Sequence, residues 1–301
     1  MEKSDFRVLS IQSHVVSGYV GNKSATFPLQ VLGFEVDAIN SVQFSNHTGY
    51  GVWKGHVLNK DELKDLMSGL SHNGLDRYSH LLTGYVGDPT FLKEIGEVVK
   101  QLKKANPGLV YVCDPVMGDN GKMYVPKELL PIYKTEIIPL ANVITPNQYE
   151  LELLVDRPIH SINDALQAID ALHENGVETV VLSSTELGTE NHLLGIASSK
   201  KGNKRTVLKI NIPRLPATFT GTGDLFAALF LAWLAKSNDL QVALENTIAT
   251  LQAVLKRTFQ SARQKSEGET LTVAALELKL IQSKNDIEKP TSTVVAENID
   301  V

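Results

Sequence analysis

The sequence has only one cysteine, Cys113, among its 301 residues. A single thiol cannot form an internal disulfide, so the disulfide-stapled scaffolds of small secreted proteins are excluded. Cys113 lies in an apolar stretch, which predicts a buried and unreactive side chain. Long hydrophobic runs are also missing, because no run reaches the roughly 18 apolar residues of a membrane span, and the polar N-terminus lacks a secretory signal. We therefore expect a cytoplasmic protein with no membrane partner.

An excess of positive charge is absent as well. The chain carries 29 Lys and Arg against 34 Asp and Glu, a formal net charge of -5 at pH 7. Nucleic-acid binding requires a basic surface that neutralises phosphates, so we expect no nucleic-acid partner. The one basic block, residues 200–205, is predicted to be the solvated turn of a β-hairpin.

Three common site motifs are missing too. The glycines near residue 20 lack the G-x-G-x-x-G spacing of dinucleotide-binding proteins, and the Walker lysine motif is absent. His47 has no second His or Cys at ligand spacing, so a hydrogen-bonding role is favoured over a zinc site. If this protein binds a nucleotide, another device must hold the phosphates.

A candidate for that device is the stretch F-T-G-T-G-D at residues 219–224, which leads directly into an apolar helical run. A helix that begins on glycines leaves its first N–H groups unpaired, and these donors together with the helix dipole attract anions. Asp224 would repel a bound phosphate, but it suits a transferring phosphoryl group if it takes a proton from the attacking hydroxyl. The alternative is that Asp224 caps the first turn of the helix.

Strand and helix patterns alternate along the chain, which predicts a mostly parallel sheet with helices on both faces. No linker or internal repeat divides the chain, so we predict one domain over residues 1–283 and a polar, flexible C-terminal tail over residues 284–301. Strands are predicted at residues 6–13, 36–44, 80–86, 109–113, 142–145, 178–182, 193–198 and 206–212. Helices are predicted at residues 24–32, 59–70, 88–102, 126 onward, after 146–150, 161–173, 221 onward and 240–264.

Polar or aromatic groups follow most of these predicted strands. In an open α/β sheet ligands bind beyond the carboxyl ends of the strands, so these groups are expected to share one edge. Each alone is more often a turn residue than a site residue. The set consists of Ser13, Thr48, Tyr85, Asp114, Thr145, Ser183 and the Gly221 loop.

Several motifs in order resemble the pyridoxal kinase family of the ribokinase-like superfamily, over nearly the whole chain. They are S-I-Q-S at residues 10–13, F-S-N-H-T-G-Y at 44–50, L-T-G-Y at 82–85, C-D-P-V at 113–116, I-T-P-N-Q at 144–148 and G-T-G-D at 221–224. The resemblance implies a single-domain ribokinase-like α/β fold. It also implies ATP-dependent phosphorylation of the 5'-hydroxymethyl group of pyridoxal, pyridoxine and pyridoxamine, and it suggests a homodimer.

The resemblance also implies a role for each site residue. Asp224 would be the general base, and the Gly221, Thr222 and Gly223 amides would form the anion hole. The vitamer would be held by Ser13, Thr48, Val20 and Tyr85 together with Asp224. ATP and Mg²⁺ would lie along Asp119, Tyr124, Asn147, Glu150, Ser183, Ser184 and Thr222, with Asp119 and Glu150 serving the Mg²⁺. Asp114 and Thr145 would lie near a monovalent cation, K⁺ or Na⁺. Hard oxygen ligands of this kind suit Mg²⁺ and alkali cations and do not suit zinc.

The sequence departs from the family pattern at two places, and two other functions are possible for it. Thr218-Phe219 stand where the wider superfamily has Asp-Thr, which favours the pyridoxal kinase branch over sugar kinases. The loop at residues 118–124 is shorter than the matching lid loop in vertebrate relatives, and this departure concerns the Tyr124 contact to ATP. The alternatives are a hydroxymethylpyrimidine kinase and an inactive relative that binds pyridoxal phosphate; the intact Asp224 and its glycines speak against the second. Asp114 could also simply cap a turn before Pro115.

Overall fold

The structure is a computed structural model that describes residues 6–202, 204–266, 270–291 and 294–300. Its strands are β1 Arg7–Val15, β2 Glu35–Phe44, β3 Gly55–Val57, β4 His80–Thr83, β5 Val110–Cys113, β6 Gly118–Asp119, β7 Lys122–Met123, β8 Val143–Ile144, β9 Thr179–Thr189, β10 His192–Lys201, β11 Lys204–Pro213 and β12 Glu297–Asn298. Its α-helices are α1 Asn22–Val31, α2 Lys60–His72, α3 Pro89–Ala105, α4 Leu129–Ile132, α5 Gln148–Val155, α6 Ile162–Glu174, α7 Thr222–Ser237, α8 Leu240–Lys265 and α9 Lys284–Glu288.

Ten strands form one sheet in the order β12-β11-β10-β9-β8-β5-β4-β1-β2-β3. The strands from β2 through β9 pair in parallel, whereas both margins are antiparallel. The predicted single-domain, mostly parallel α/β architecture is therefore confirmed. The carboxyl ends of the parallel strands lie at the same edge of the sheet, and the site described below is built there.

Successive residues of the central strands bury their side chains on opposite faces of the sheet, as strand geometry requires. Leu9 belongs to the core that includes α2, α3, α5 and α6, whereas the preceding Val8 belongs to the core that includes α1, α7 and α8. The apolar run of α7 is buried along half of its length because the helix packs between the sheet, α1 and α8. This packing holds the first turn of α7 in place beside the loop that follows β1.

Helix starts follow their local sequence signals. Asn59 caps α2 in a capping box with Glu62, and Asp88 followed by Pro89 begins α3. No helix in the described part of the chain combines the length and apolar character that a membrane crossing requires.

Two predicted strand ends were too early. β1 continues through Val15 because β2 pairs with it as far as Phe44, although its other neighbour, β4, ends at Thr83. β9 continues to Thr189 because β10 pairs with it beyond the point where β8 ends. Ser13 and Ser183 therefore lie inside strands, each at a level where one neighbouring strand has already stopped.

The predicted hairpin around the basic block is confirmed by the pairing of Lys201 with Lys204; the turn residue Asn203 lies outside the described residues. The stretch predicted as a polar tail also carries structure where it is described. α9 buries Ile287 completely, and Glu297 in β12 pairs with β11. Because Ile287 lies in the core and β12 pairs with the sheet, α9 and β12 are packed against the body of the protein. The boundary at residue 283 stays a prediction.

Candidate active site

The first turn of α7 has the open N-terminus that the glycines predict. Gly221 precedes the helix with φ of +84°, and no side chain in the described residues caps this end. A Cβ at Gly221 would lie 2.1 Å from the carbonyl oxygen of Tyr19. Only glycine therefore allows both this backbone conformation and this close approach. The first amides of α7 stay available as donors, which suits an anion.

Asp224 lies in that first turn, and its carboxylate Oδ2 accepts a hydrogen bond of 2.8 Å from the backbone N–H of Gly21. The capping alternative would have the carboxylate accept from an N–H of α7 itself, but the carboxylate accepts from Gly21 in the loop after β1. Burial raises the pKa of Asp224, and the Gly21 bond opposes that rise. The result is an oriented carboxylate with strengthened basicity beside an anion-attracting helix end, which is what proton removal from a hydroxyl requires.

The loop after β1 contacts the first turn of α7 and carries or touches predicted vitamer residues. Gly21 has φ of +53°, and a Cβ there would lie 2.0 Å from the carbonyl oxygen of Ser13. Val20 is buried, and its Cγ1 lies 3.3 Å from the position of a Cβ on Gly221. The structure thus brings Ser13, Val20 and Asp224 to one place.

The other two predicted vitamer residues follow β2 and β4, the two strands that flank β1. Thr48 begins a 3₁₀ turn after β2 and is exposed. At the neighbouring Gly49, a Cβ would lie 3.9 Å from the hydroxyl oxygen of Thr220. Tyr85 follows β4, is half-buried, and accepts a bond of 2.9 Å at its carbonyl oxygen from the Ser41 hydroxyl. Burial raises the pKa of the Tyr85 phenol, so it stays neutral as a ring-stacking side chain should.

Asp114 and Thr145 lie at the ends of neighbouring strands β5 and β8, and both are buried. The Thr145 hydroxyl donates to Asp114 Oδ1 at 3.3 Å, whereas Oδ2 has no hydrogen-bond partner among the described residues. Burial, followed by the charges of Glu150 and Asp224, raises the pKa of Asp114 well above its usual range. A buried carboxylate oxygen without a partner beside other carboxylates is an electrostatic cost that a bound cation would relieve.

Glu150 holds the β6–β7 hairpin and the start of α5 together. Its Oε1 accepts from the backbone N–H of Met117 at 3.0 Å and of Gly118 at 3.4 Å, and Oε2 accepts from the N–H of Asn147 at 2.9 Å. Asn147 in turn donates from Nδ2 to the carbonyl of Gly118 at 2.8 Å. Burial raises the pKa of Glu150 to about 7, against the effect of these N–H bonds. In the structure this carboxylate accepts hydrogen bonds from backbone N–H groups. Its direct role toward Mg²⁺ stays a prediction.

Of the remaining residues predicted for ATP, Asp119 lies in this hairpin and Tyr124 directly after it, Ser183 and Ser184 lie in β9, and Thr222 begins α7. Asp119 is exposed and accepts from the N–H of Asn120 at 2.8 Å, so it presents a carboxylate to solvent. Burial and the nearby charge of Asp119 raise the pKa of Tyr124, whose ring is half-exposed. Ser183 donates from its hydroxyl to the carbonyl of Pro146 at 3.2 Å, beside Asn147, and Ser184 follows in β9. Within the described ranges no three His, Cys, Asp or Glu side chains group closely enough to hold a metal ion by themselves.

Two residues of the site escaped the sequence analysis. Gly21 supplies the N–H that orients Asp224, and Glu277, from the segment after α8, accepts bonds from the loops at residues 17–21 and 47–50. The two-glycine loop after β1 was a signal for the first; nothing local signals the second. His47, as expected, makes hydrogen bonds: its Nδ1 accepts from the N–H of Gly49 at 3.1 Å. Beside it lies a cavity of about 200 Å³, bounded by Thr218, Thr220 and the segment that carries Glu277.

Comparison with known proteins identifies the family. A family model described as phosphomethylpyrimidine kinase matches residues 78–269. The chain is 52% identical to the pyridoxal kinase of Homo sapiens over 308 aligned residues, which cover 98% of this chain and 99% of the human one.

Solved structures agree with that relationship. Pyridoxal kinase from Leishmania donovani in complex with ADP and pyridoxamine superimposes with a TM-score of 0.92 at 34% identity, covering 98% of this chain and all (100%) of that one. The same enzyme with ADP and pyridoxine gives 0.92 at 35% identity, with 99% and 100% coverage. The family model alone also fits the hydroxymethylpyrimidine alternative, but the full-length identity decides between them: the chain belongs to the pyridoxal kinase family of the ribokinase-like superfamily.

Proposed function

We propose that this protein transfers the γ-phosphoryl group of ATP to the 5'-hydroxymethyl group of pyridoxal, pyridoxine and pyridoxamine. The observation that carries the proposal is the placement of Asp224, whose carboxylate is held by the Gly21 N–H at the open first turn of α7. Full-length identity to pyridoxal kinases supports the choice of substrate.

In this proposal Asp224 accepts the proton of the 5'-hydroxyl as the hydroxyl oxygen attacks the γ-phosphorus, and the bond from that phosphorus to the bridging β–γ oxygen breaks, so that ADP leaves. The amides of Gly221, Thr222 and Gly223 donate to the phosphoryl oxygens, whose charge they help to spread. Ser13 and Thr48 bond the polar edge of the vitamer, and Val20 and Tyr85 cover the faces of its ring. Phosphoryl transfer depends mainly on positioning and charge stabilisation, which these groups provide without a covalent intermediate.

The donor set fits two kinds of cation. Asp114, with its unpartnered buried oxygen, and Thr145 would hold a monovalent cation, K⁺ or Na⁺. Asp119, exposed on the hairpin, and Glu150 behind it would serve Mg²⁺ carried by ATP. Bound Mg²⁺ would neutralise charge on the phosphates.

We further propose a homodimer that works in the cytosol. The fully buried thiol of Cys113, whose pKa burial raises to about 12, needs no special redox environment and suits a reducing one. The dimer rests on the family alone; light scattering that reports the mass of one chain at micromolar concentration would contradict it.

The central test is a coupled assay of ADP release with ATP and each of four acceptors: the three vitamers and hydroxymethylpyrimidine. We expect all three vitamers to be phosphorylated and hydroxymethylpyrimidine to be much poorer, because neutral hydroxyls at the pocket edge tolerate different groups at position 4 of the pyridine ring. A preference for hydroxymethylpyrimidine would instead favour the second kinase. Tight binding of pyridoxal phosphate without turnover would identify an inactive relative.

Replacing Ser13 or Thr48 by alanine should lower kcat/KM for the vitamers and leave KM for ATP unchanged. Loss of one neutral hydrogen bond costs about 0.5–1.5 kcal/mol, or roughly 2- to 10-fold in kcat/KM. Ser183→Ala is the reciprocal control, since that hydroxyl is placed on the nucleotide side and should change KM for ATP instead. Steady-state kinetics with each substrate varied in turn provides the measurement; a Ser13→Ala effect confined to ATP would contradict the pocket.

Activity should also depend on a monovalent cation. Replacing K⁺ by tetramethylammonium at constant ionic strength and constant Mg²⁺ should lower kcat/KM, because the buried Asp114 carboxylate then lies near the charges of Glu150 and Asp224 without compensation. Titrating K⁺ or Na⁺ back should restore the rate. Asp114→Asn should abolish this dependence. Equal rates in tetramethylammonium and K⁺ buffers would show that Asp114 has only a local structural role.

A further inference from the structure

The segment at residues 270–283, which we call the strap, follows α8 and passes close to the active site. Leu278 and Leu280 are fully buried in the core beside α7 and α8. The N–H of Lys279 donates to the Thr258 hydroxyl of α8 at 3.0 Å. The backbone on the C-terminal side of Glu277 is therefore anchored to the body of the protein, so that this side chain projects from a fixed support.

The carboxylate of Glu277 accepts hydrogen bonds from two different loops. Oε2 accepts from the backbone N–H of Tyr19 at 2.9 Å, and Oε1 accepts from the Tyr50 hydroxyl at 2.9 Å and lies 3.2 Å from Nε2 of His47. Only 12% of the Glu277 side chain and 7% of the His47 side chain are exposed, so water competes little for these contacts. Hydrogen bonds to an ionised carboxylate are stronger than those between neutral groups.

The imidazole of His47 has a defined direction within this network. Its Nδ1 accepts from the N–H of Gly49, so in the neutral ring the proton is on Nε2, which donates to Glu277. The rings of His47 and Tyr50 also lie 4.8 Å apart between centroids. Both ends of the 3₁₀ turn that contains Thr48 are thus tied to one carboxylate.

The loop after β1 approaches the same carboxylate closely. Gly18 has φ of +97°, and a Cβ there would lie 2.3 Å from Glu277 Oε1. Tyr19, which donates to Oε2, immediately precedes Val20 and Gly21. One side chain therefore reaches the neighbours of Val20, of Thr48 and of the Gly21 amide that orients Asp224.

We infer that Glu277 is a positioning residue for the vitamer pocket: it holds the loop of Val20 and the turn of Thr48 at the separation that fits a pyridine ring. It does so through its bonds to Tyr19, Tyr50 and His47, which are contacts within the protein and not with a substrate. The inference rests on the proposed function. It assigns to the strap, which is remote in sequence, control over how tightly the vitamer binds. Among the described residues, those proposed for the nucleotide make no hydrogen bond with Glu277, whose partners are Tyr19, Tyr50 and His47, so ATP binding should be unaffected.

Glu277→Gln tests this directly. The side-chain oxygen of glutamine can accept from the donors on one side of the network, but its NH₂ group faces a donor on the other side, and that hydrogen bond is lost. We expect KM for pyridoxal to rise about 10-fold or more, with KM for ATP within about twofold. Hydrogen exchange at the amide of Tyr19 should accelerate. Asp286→Asn is the matched control: Asp286 bonds Arg257 in the same C-terminal region but contacts neither loop, so it should lower Tm and leave both KM values unchanged.

If Glu277→Gln does not fold, Tyr50→Phe removes one donor and keeps the carboxylate, and it should raise KM for pyridoxal about two- to threefold by the same reasoning. Vitamer kinetics within twofold of wild type in folded Glu277→Gln would overturn the inference, as would equal changes in both KM values. Failure of the wild-type protein to phosphorylate any vitamer would instead overturn the proposed function. The two outcomes are therefore distinguishable.

Discussion

Asp224→Asn should lower kcat by about 10²- to 10⁴-fold, the usual contribution of a positioned general base. Asparagine keeps the shape and can still accept from the Gly21 N–H, so the loop after β1 should stay in place. Burial raises the pKa of Asp224, which means that its charged form is disfavoured in the fold. Removing the charge should therefore leave Tm at neutral pH unchanged or slightly higher.

The measurement is steady-state kinetics together with thermal unfolding and nucleotide binding. Asp239→Asn is the matched control, because Asp239 caps α8 by accepting from the N–H of Val242 at 3.0 Å, and asparagine caps equally well. It should retain full activity. If Asp224→Asn turned over at the wild-type rate while correctly folded, Asp224 could not be the base.

Gly221→Ala should lower kcat/KM by about 10²- to 10³-fold, the range seen when one anion-hole donor is lost. The added Cβ would meet the carbonyl oxygen of Tyr19 at 2.1 Å, so either the loop with Val20 or the first turn of α7 must move. Both movements displace the amides from the transferring phosphoryl group. Positive φ at an alanine adds strain of its own, about 1 kcal/mol.

The strain alone can be separated from the steric conflict by Gly176→Ala. Gly176 also has a positive φ, +94°, but no atom lies within 4 Å of its Cβ position. This variant should lose stability in thermal unfolding and keep its kcat/KM. Comparable activity losses in the two alanine variants would mean that the effect at Gly221 is general destabilisation and not loss of the anion site.

Much of this site could be predicted because it is built at strand ends. Asp114 and Thr145 directly follow short, apolar parallel strands, and the glycines before α7 mark its N-terminus in the sequence itself. Parallel pairing then forces these positions to one edge of the sheet. The capping box that Asn147 and Glu150 form at the start of α5 also has a local cause, although the sequence analysis named these two residues only through the family resemblance.

The parts that could not be predicted depend on distant partners. β9 passes Ser183 because β10 continues to pair with it, and a strand's end is set by its neighbours as well as by its own residues. Glu277 acquires its role from loops more than 220 residues earlier in the chain, as its bond to Tyr50 shows. Ile287 lies in a stretch whose sequence is polar, and its burial depends on α1 and α8, which pack against α9.

The bond between Gly21 and Asp224 spans 203 positions, and that between Tyr19 and Glu277 spans 258. A ribosome releases the N-terminal strands long before either partner exists, so an emerging chain can form much of the sheet without a working centre. Contacts of such long range also slow folding, because closing a long loop costs entropy before the contact repays it. Catalytic competence is therefore among the last properties that the newly made chain acquires, because it requires α8 and the strap to have been synthesised already.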